Sequence, residues 1–453
     1  MSRPLRVYAP VGMLGYGFPE ASLRAALEWG PDLIAVDAGS TDPGPYYLGS
    51  GQSFTSRAMV KRDLGLLLPA ALDRRIPLVV GSAGGAGGAP HLAWTLEIVR
   101  EIATERGLHG RLAVIQAEQD REYLRRKLAA GDVVAFETGR DLAPANLAAC
   151  GHVVAQMGVE PVLEALEAGA DVIVAGRAFD AALSATLPIL RGVDRGIALH
   201  MGKIVECGSL VALPRASDGV LAEIWDDHFL IRPADPAKRC TVDTVAAHTL
   251  YEKSDPYNLG MPGGRLDLTR SRFERHDDRT VRVSGSRFVP SDEYFVKLEG
   301  AALVGYRSIC LAGVRDPILI ERLDDVLERA RAKIASDLAG LVSDDTYHLL
   351  FRVYGRDGVM GDLEPYAGPP PHELGLVIEV VADSQQTADT VCALARSATL
   401  HLGYEGRLAT AGNLAFPYSP AEFPAPPAYE FNVYHLLRLT DPCEPFPVTW
   451  ETL

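Results

Sequence analysis

The sequence predicts an α/β N-terminal domain, a mostly parallel sheet with helices on both sides, followed by an α+β C-terminal domain of ferredoxin-like type. Three observations carry this. In the first half, short apolar runs alternate with helix-period segments, the order that parallel βαβ units produce. Beyond residue 270, strand-like runs succeed one another and stand beside two helices, which is the α+β pattern. The length of 453 residues exceeds what one ordinary core holds, so two or three domains are expected.

The strand runs in the first half are 5–8, 33–37 (Leu-Ile-Ala-Val-Asp), 77–80, 111–116, 133–137 and 171–175. Helical patterns fall between them at 19–29, 55–72, 91–106, 120–130 and 160–168. A doubly wound sheet and an irregular barrel both satisfy this alternation. The stretch from about 181 to 255 reads as helical, and 256–270, rich in Gly and Pro, reads as a connection. Strand runs follow at 271–276, 280–285, 294–298 and 302–312. After them come a charged helix at 317–339, strands at 347–354 and 374–382, a helix at 384–402 and a last strand at 429–438. The expected division is an α/β domain over 1–255, an antiparallel β and helix region over 256–340, and a ferredoxin-like domain over 341–453.

Composition narrows the function classes. At 47% hydrophobic and 23% charged, the chain is that of a folded globular protein. A formal charge of −15, without a dense Lys/Arg cluster, argues against a nucleic-acid partner. An anionic small molecule remains compatible, because a local arginine or backbone dipoles can override net charge. No apolar stretch is long enough to span a membrane, and the start has no leader-like apolar region. The six cysteines are scattered without a C-x-x-C pair, which fits reduced thiols in the cytoplasm better than zinc or disulfides.

Candidate site residues come from one topological rule: in open parallel sheets, ligands bind at the carboxyl ends of the strands. Asp37 ends one strand and opens a loop that holds Ser40 and Asp42. The run from Gly81 to Gly88 follows another strand, Gln116 and Glu118 a third, Glu137 a fourth, and Arg177 with Asp180 a fifth. The glycine-rich run, with Ser82, Gly84, Gly85 and Gly87, could offer backbone N–H groups to an anion or carbonyl, or could simply be a tight turn. It matches neither G-x-G-x-x-G nor a P-loop, so no nicotinamide, flavin or ATP motif is present. Asp37, Asp42, Glu137 and Asp180 are carboxylates of the kind that hold a divalent cation or perform general acid–base work. As isolated residues, Asp37 and Asp42 are equally explained as turn residues. Arg177 either clamps a carboxylate or phosphate, or pairs with Asp180.

Further polar groups share faces. His200, Lys203 and Cys207 fall on one helix face beside Glu206, where a histidine and a cysteine could act together, although a small buried helix end explains Cys207 as well. His248 with Glu252 has i, i+4 spacing but no third ligand, and Asp227-His228 is another polar pair. Arg57, Lys61 and Arg62 read as exposed charge or as substrate neutralisation.

Several strings resemble a known family. They include Val36-Asp37-Ala38-Gly39-Ser40-Thr41-Asp42-Pro43-Gly44, the run from Gly81 to Gly88, Ala155-Gln156-Met157-Gly158-Val159-Glu160-Pro161 and Val174-Ala175-Gly176-Arg177-Ala178-Phe179-Asp180. Others are His200-Met201-Gly202-Lys203-Ile204-Val205-Glu206-Cys207-Gly208, Lys297-Leu298-Glu299-Gly300-Ala301 and Val359-Met360-Gly361-Asp362-Leu363-Glu364. Over about 30–440 they are similar to the acyclic terpene utilisation (AtuA-type) family, in the subgroup with a fused C-terminal ferredoxin-like extension. The resemblance implies catabolism of branched acids or their CoA thioesters.

The residue reading and the resemblance together give one expectation: a lyase acting on a small carboxylate or its CoA thioester, by hydration, dehydration or C–C cleavage next to a carbonyl. Asp37, Glu137 and Asp180 would be catalytic, and Ser40, Ser82, Gly84, Gly85, Gly87, Gln156 and Arg177 would bind substrate. A divalent metal is compatible with this set but not specified by it. Two alternatives stand beside it: an acyl-ligand-binding subunit that is non-catalytic or partner-dependent, and an isomerase using the same proton chemistry. A homo-oligomer is expected, with no nucleic-acid or membrane partner.

Overall fold

The computed structural model describes residues 3–136, 139–251, 254–343, 345–366, 368–369 and 371–453. Contacts divide the chain into two units: residues 1–302 with 431–453, and residues 303–430. These boundaries fall elsewhere than the expected cuts after residues 255 and 340.

Unit 1 is built on strands β1 (Leu5–Ala9), β2 (Leu33–Asp37), β3 (Leu78–Gly81), β4 (Arg111–Ile115), β5 (Val133–Ala135), β6 (Cys150–Ala155) and β7 (Val172–Ala175). Five of them form a parallel sheet in the order β1-β2-β3-β7-β4. These strands read as continuous apolar runs because both faces are covered. Alternate residues feed two separate cores: Val7, Ala35, Val79, Ala113 and Ile173 enter one, while Tyr8, Ile34, Val80, Val114 and Val174 enter the other.

Helices lie on both faces, as expected. They are α1 (Glu20–Trp29), α2 (Pro45–Ser50), α3 (Arg57–Arg74), α4 (Ala89–Arg106), α5 (Arg121–Ala129), α6 (Pro144–Ala149), α7 (Glu160–Glu167), α8 (Asp180–Leu190) and α9 (Arg195–Val205). Leu23 of α1, Leu64 and Leu67 of α3 and Val99 of α4 fill one core. Val162 of α7, Ala182 of α8 and Ile197 of α9 fill the other. The start of α9 is fixed by Asp194, whose side chain accepts from the N–H groups of Gly196 and Ile197.

Several expectations are corrected. The run at 133–137 is not a strand of the parallel sheet: β5 pairs antiparallel with His435–Leu437, and its charged neighbours suit a half-exposed edge. Strand β6 went unread in the sequence; it pairs antiparallel with Leu298–Ala302. The supposedly helical stretch 181–255 is helical in α8, α9 and Val242–Thr249, with an antiparallel pair, Val220–Ile224 and His228–Pro233, between them. That pair extends the sheet beyond β1. The supposed connection 256–270 holds a hairpin, Asn258–Met261 with Gly264–Asp267, turning at Pro262-Gly263. Runs 294–298 and 302–312 belong to one strand, Tyr294–Val314, and Val448–Thr452 adds an unexpected strand beside β4.

Unit 2 takes up the second half of that long strand. Residues 306–314 pair antiparallel with Leu374–Ala382, which pairs in turn with Tyr347–Tyr354. Helices Leu323–Leu338 and Gln385–His401 supply Val326, Ala330, Ile334, Val391 and Ala395 to its core, against Cys310, Val353 and Ile378. The expected helices and strands of this region are therefore present. Among the described residues no helix is long and apolar enough to cross a membrane.

Candidate functional site

The carboxyl ends of β2, β3 and β7 meet through their loops. Gly39 and Gly85 touch so closely that a Cβ on Gly39 would stand 2.7 Å from the Gly85 Cα. Gly87 has φ +68, and a Cβ there would stand 2.1 Å from the Arg177 nitrogen. Only bare backbone fits. The amides of Ser82 and Ala83 donate to Gly176 and Ala175 carbonyls, and those of Gly85 and Gly87 donate back to Ser82 and Ala83. Two of these N–H groups lock the loop to the end of β7 and two close the loop on itself, so none of the four is available to an anion. The glycines hold the wall of the site, and Gly84, Gly85 and Gly87 do not line its cleft.

Arg177 sits at the end of β7 with 2% of its surface exposed. Its Nε donates to Glu299 Oε2 at 2.9 Å. Its Nη1 donates to Asp180 Oδ1 at 3.0 Å, Ser82 Oγ at 3.2 Å and the Ala178 carbonyl at 2.9 Å. Nη2 makes no hydrogen bond among the described residues, and the side chain lines a cleft of about 690 Å³. Glu299, fully buried, also accepts from Thr41 Oγ1 and pairs with Lys297 Nζ, both at 2.8 Å. Of the two alternatives weighed for Arg177, the pairing with Asp180 is present, and the side chain also lines the cleft.

Charge in this buried cluster is uneven. Burial pushes the Glu299 carboxyl up, but Arg177 and Lys297 outweigh it and hold it down at about 2. Asp37, at the end of β2, moves the other way. Burial raises it well above the usual carboxylate range, and the Asp180 and Glu206 carboxylates add to this, with Arg177 only partly opposing. Asp180 is raised as well, burial outweighing Arg177 and Lys203. The buried Asp37 carboxyl and the part-buried Asp180 carboxyl therefore share one arginine that Glu299 already engages, and both are pushed towards the protonated form.

The other candidates divide. Asp180, Gln156 and Asp42 line the cleft with Lys203, Glu206 and Lys297. Lys203 and Glu206 form a buried ion pair at 2.5 Å. Ser40 is not in the cleft lining, and its hydroxyl donates to Asp42 at 2.7 Å. Glu137 and Glu252 lie outside the described residues. His200 is fully buried between the rings of Phe229 and Phe273, with Nε2 3.2 Å from Thr249 Oγ1, in the helix packing and not in the cleft lining. His228 pairs with exposed Asp227 and stacks on Trp225. Arg57 and Lys61 of α3 are tied to Glu101 of α4 as braces between the helices, and Arg62 pairs with its neighbour Asp63.

Sequence reasoning did not single out Glu299 and Lys297 as site residues, nor the aromatic wall. Phe136 and Tyr434 rings stand 5.3 Å apart in the cleft lining, with Lys297 Nζ 5.2 Å from the Tyr434 ring centre. The hairpin turn at Met261–Gly264 closes another side. The signal for Glu299 was its place as a carboxylate directly before the small and apolar run Gly300–Gly305 of the strand. Among the described residues no group of three or more His, Cys, Asp or Glu is placed to hold a metal ion.

Fold and site together define an α/β protein with a ligand-sized cleft at the carboxyl edge of a parallel sheet, floored by a buried arginine–carboxylate cluster. The family model described as acyclic terpene utilisation family protein AtuA matches residues 54–415, and the chain belongs to this family. No curated protein and no solved structure matches the chain significantly.

Proposed function

We propose that the chain is a lyase acting on a small carboxylate or its CoA thioester, adding or removing water or cleaving a C–C bond next to the carbonyl. The observation that carries this is Asp180 held 3.0 Å from Arg177 Nη1 in the lining of a ligand-sized cleft, with the proton affinity of the buried Asp37 raised further by Asp180 in this cluster. In this reading Arg177 Nη2 donates to the carbonyl or carboxylate oxygen and stabilises the charge that develops there. Asp180, which lines the cleft, gives or takes the proton, and Asp37 behind it stores the pair's proton. The apolar wall of Phe136 and Tyr434 suits the branched tail that an acyclic terpenoid acid would carry.

The test is exchange chemistry. Purified chain is incubated in D₂O with a panel of branched acids and their CoA thioesters, and mass spectrometry follows deuterium incorporation and gain or loss of water. Wild type is expected to exchange or convert at least one member, and Asp180→Asn to lose this while still binding. Saturable binding by wild type with neither exchange nor conversion would replace the lyase with an acyl-ligand-binding subunit.

Unit 2 we read as a ferredoxin-like layer, supported by its strand–helix–strand–strand–helix order. Tyr347–Tyr354 lies at the edge of its sheet and would suit association into a homo-oligomer. No disulfide joins any of the six cysteines among the described residues, which favours a cytoplasmic setting.

A further inference from the structure

A second proton-handling group stands at the same carboxyl edge, outside the cleft lining. Glu118 follows β4, and His152 lies on β6. His152 Nδ1 is 2.7 Å from Glu118 Oε1. The other carboxylate oxygen, Oε2, accepts the Ala89 N–H at the start of the 18-residue helix α4, at 2.6 Å. An ionised carboxylate only accepts, so Nδ1 carries the hydrogen and Nε2 carries the lone pair. Nε2 makes no hydrogen bond among the described residues, and the imidazole is 26% exposed. Gly51 lies beside it: a Cβ there would stand 3.3 Å from Nε2, so a glycine leaves the approach clear.

We infer that His152 and Glu118 form an acid–base dyad, with Nε2 as an accessible proton acceptor for a hydroxyl or activated C–H group of a ligand at this edge.

The groups around the pair are engaged elsewhere. His91, the neighbouring imidazole on α4, is fully buried, and its Nε2 lies 3.0 Å from the Tyr47 and Gln52 carbonyls, so that nitrogen carries the hydrogen. Burial lowers its proton affinity, and it stays neutral. Arg121, also near Glu118, is occupied with the Leu147 and Cys150 carbonyls. Glu118 is kept ionised: burial pushes it up, but the hydrogen bonds from His152 and Ala89 hold it below its ordinary value. In the step itself the X–H bond breaks, the electron pair stays on the ligand atom, and the proton goes to Nε2. Glu118 balances the imidazolium and is the positioning residue of the pair.

Register connects the dyad with the cleft. Val154 lies opposite Glu299 and His152 opposite Ala301, and alternate residues of a strand share a face. His152 is thus about 7–8 Å diagonally from Glu299, the partner of Arg177. The dyad rests on the proposed reaction only for the identity of the ligand.

The test needs no turnover. The full chain is treated with diethyl pyrocarbonate at pH 8, and the rate at each histidine is followed by mass spectrometry. His348 on Tyr347–Tyr354 is exposed and has no carboxylate partner among the described residues, so it is the reference. His152 is expected to react several-fold faster than His348, and Glu118→Gln to bring it down to the reference rate without changing His348. A wild-type His152 no faster than His348 would make the pair a structural tie between β4 and β6. If Glu118→Gln does not fold, ¹⁵N-histidine labelling of the wild type decides: a lone pair on Nε2 is expected, and a proton there overturns the dyad.

Discussion

Arg177 and Glu299, 122 positions apart in sequence, form an ion pair at 2.9 Å whose side chains are 3% and 1% exposed. The pair joins the end of β7 to the strand Tyr294–Val314 and underlies the cleft. Two buried charges that lose one partner are costly, whereas replacing both with apolar groups is often nearly neutral. Arg177→Met is therefore expected to destabilise the fold by about 3–5 kcal/mol. Adding Glu299→Leu should recover most of that loss. Denaturant unfolding of the two single variants and the double variant checks this, and additive losses would contradict it.

Acid lability should arise partly from Glu299. Its carboxyl sits at about 2 against an ordinary 4.5, so the stability it contributes is present above 4.5 and is lost as pH falls towards 2. Glu299→Gln should flatten the stability profile over that interval, read as unfolding free energy against pH.

Asp37 should act with the opposite sign. A carboxyl raised in the folded state contributes stability that is present below its ordinary 3.8 and is lost as pH rises through the raised value. Asp37→Asn removes this dependence, so the variant should gain on wild type as pH rises above 4. A gap that stays constant across pH would show that Asp37 is not raised.

His248 gives a third window. Burial, then Lys203 and Arg215, bring it down to about 4 from an ordinary 6.5. Its neutral form is the folded one, so stability is full above 6.5 and falls as pH drops towards 4. His248→Gln should remove that slope in thermal unfolding between these two values.

Glycine positions separate space from backbone strain. Gly87→Ala must displace the Arg177 backbone as well as adopt a positive φ, and should cost about 3 kcal/mol or more. Gly44 has φ +107 and ψ 173 but open space around it, so Gly44→Ala should cost only the backbone strain, about 1–3 kcal/mol. Melting temperatures of the two variants measure the difference.

Much of this was legible in the sequence for a physical reason. The five parallel strands are buried on both faces, so they stood out as unbroken apolar runs, and Asp37 and Arg177 could be placed at their ends. The segment 181–255 misled because Val220–Ile224 and His228–Pro233 are short, and the charged turn between them, with Asp226 and Asp227, also suits a helix surface. Glu299 was hidden because nothing local relates it to Arg177; their pairing is set by β6 lying against Leu298–Ala302. The glycine run was read as an anion cradle, a role that depends on where its N–H groups point. Four of them point into the fold.

The most direct test of the account is a crystal structure of the chain with a branched-chain acid or its acyl-pantetheine thioester. The account predicts the carbonyl or carboxylate oxygen within about 3.2 Å of Arg177 Nη2, with Asp180 beside it and the tail against Phe136 and Tyr434. A ligand seated elsewhere, for instance in the groove between Asp324 and Gly361 of unit 2, with the Arg177 cleft empty, would contradict it.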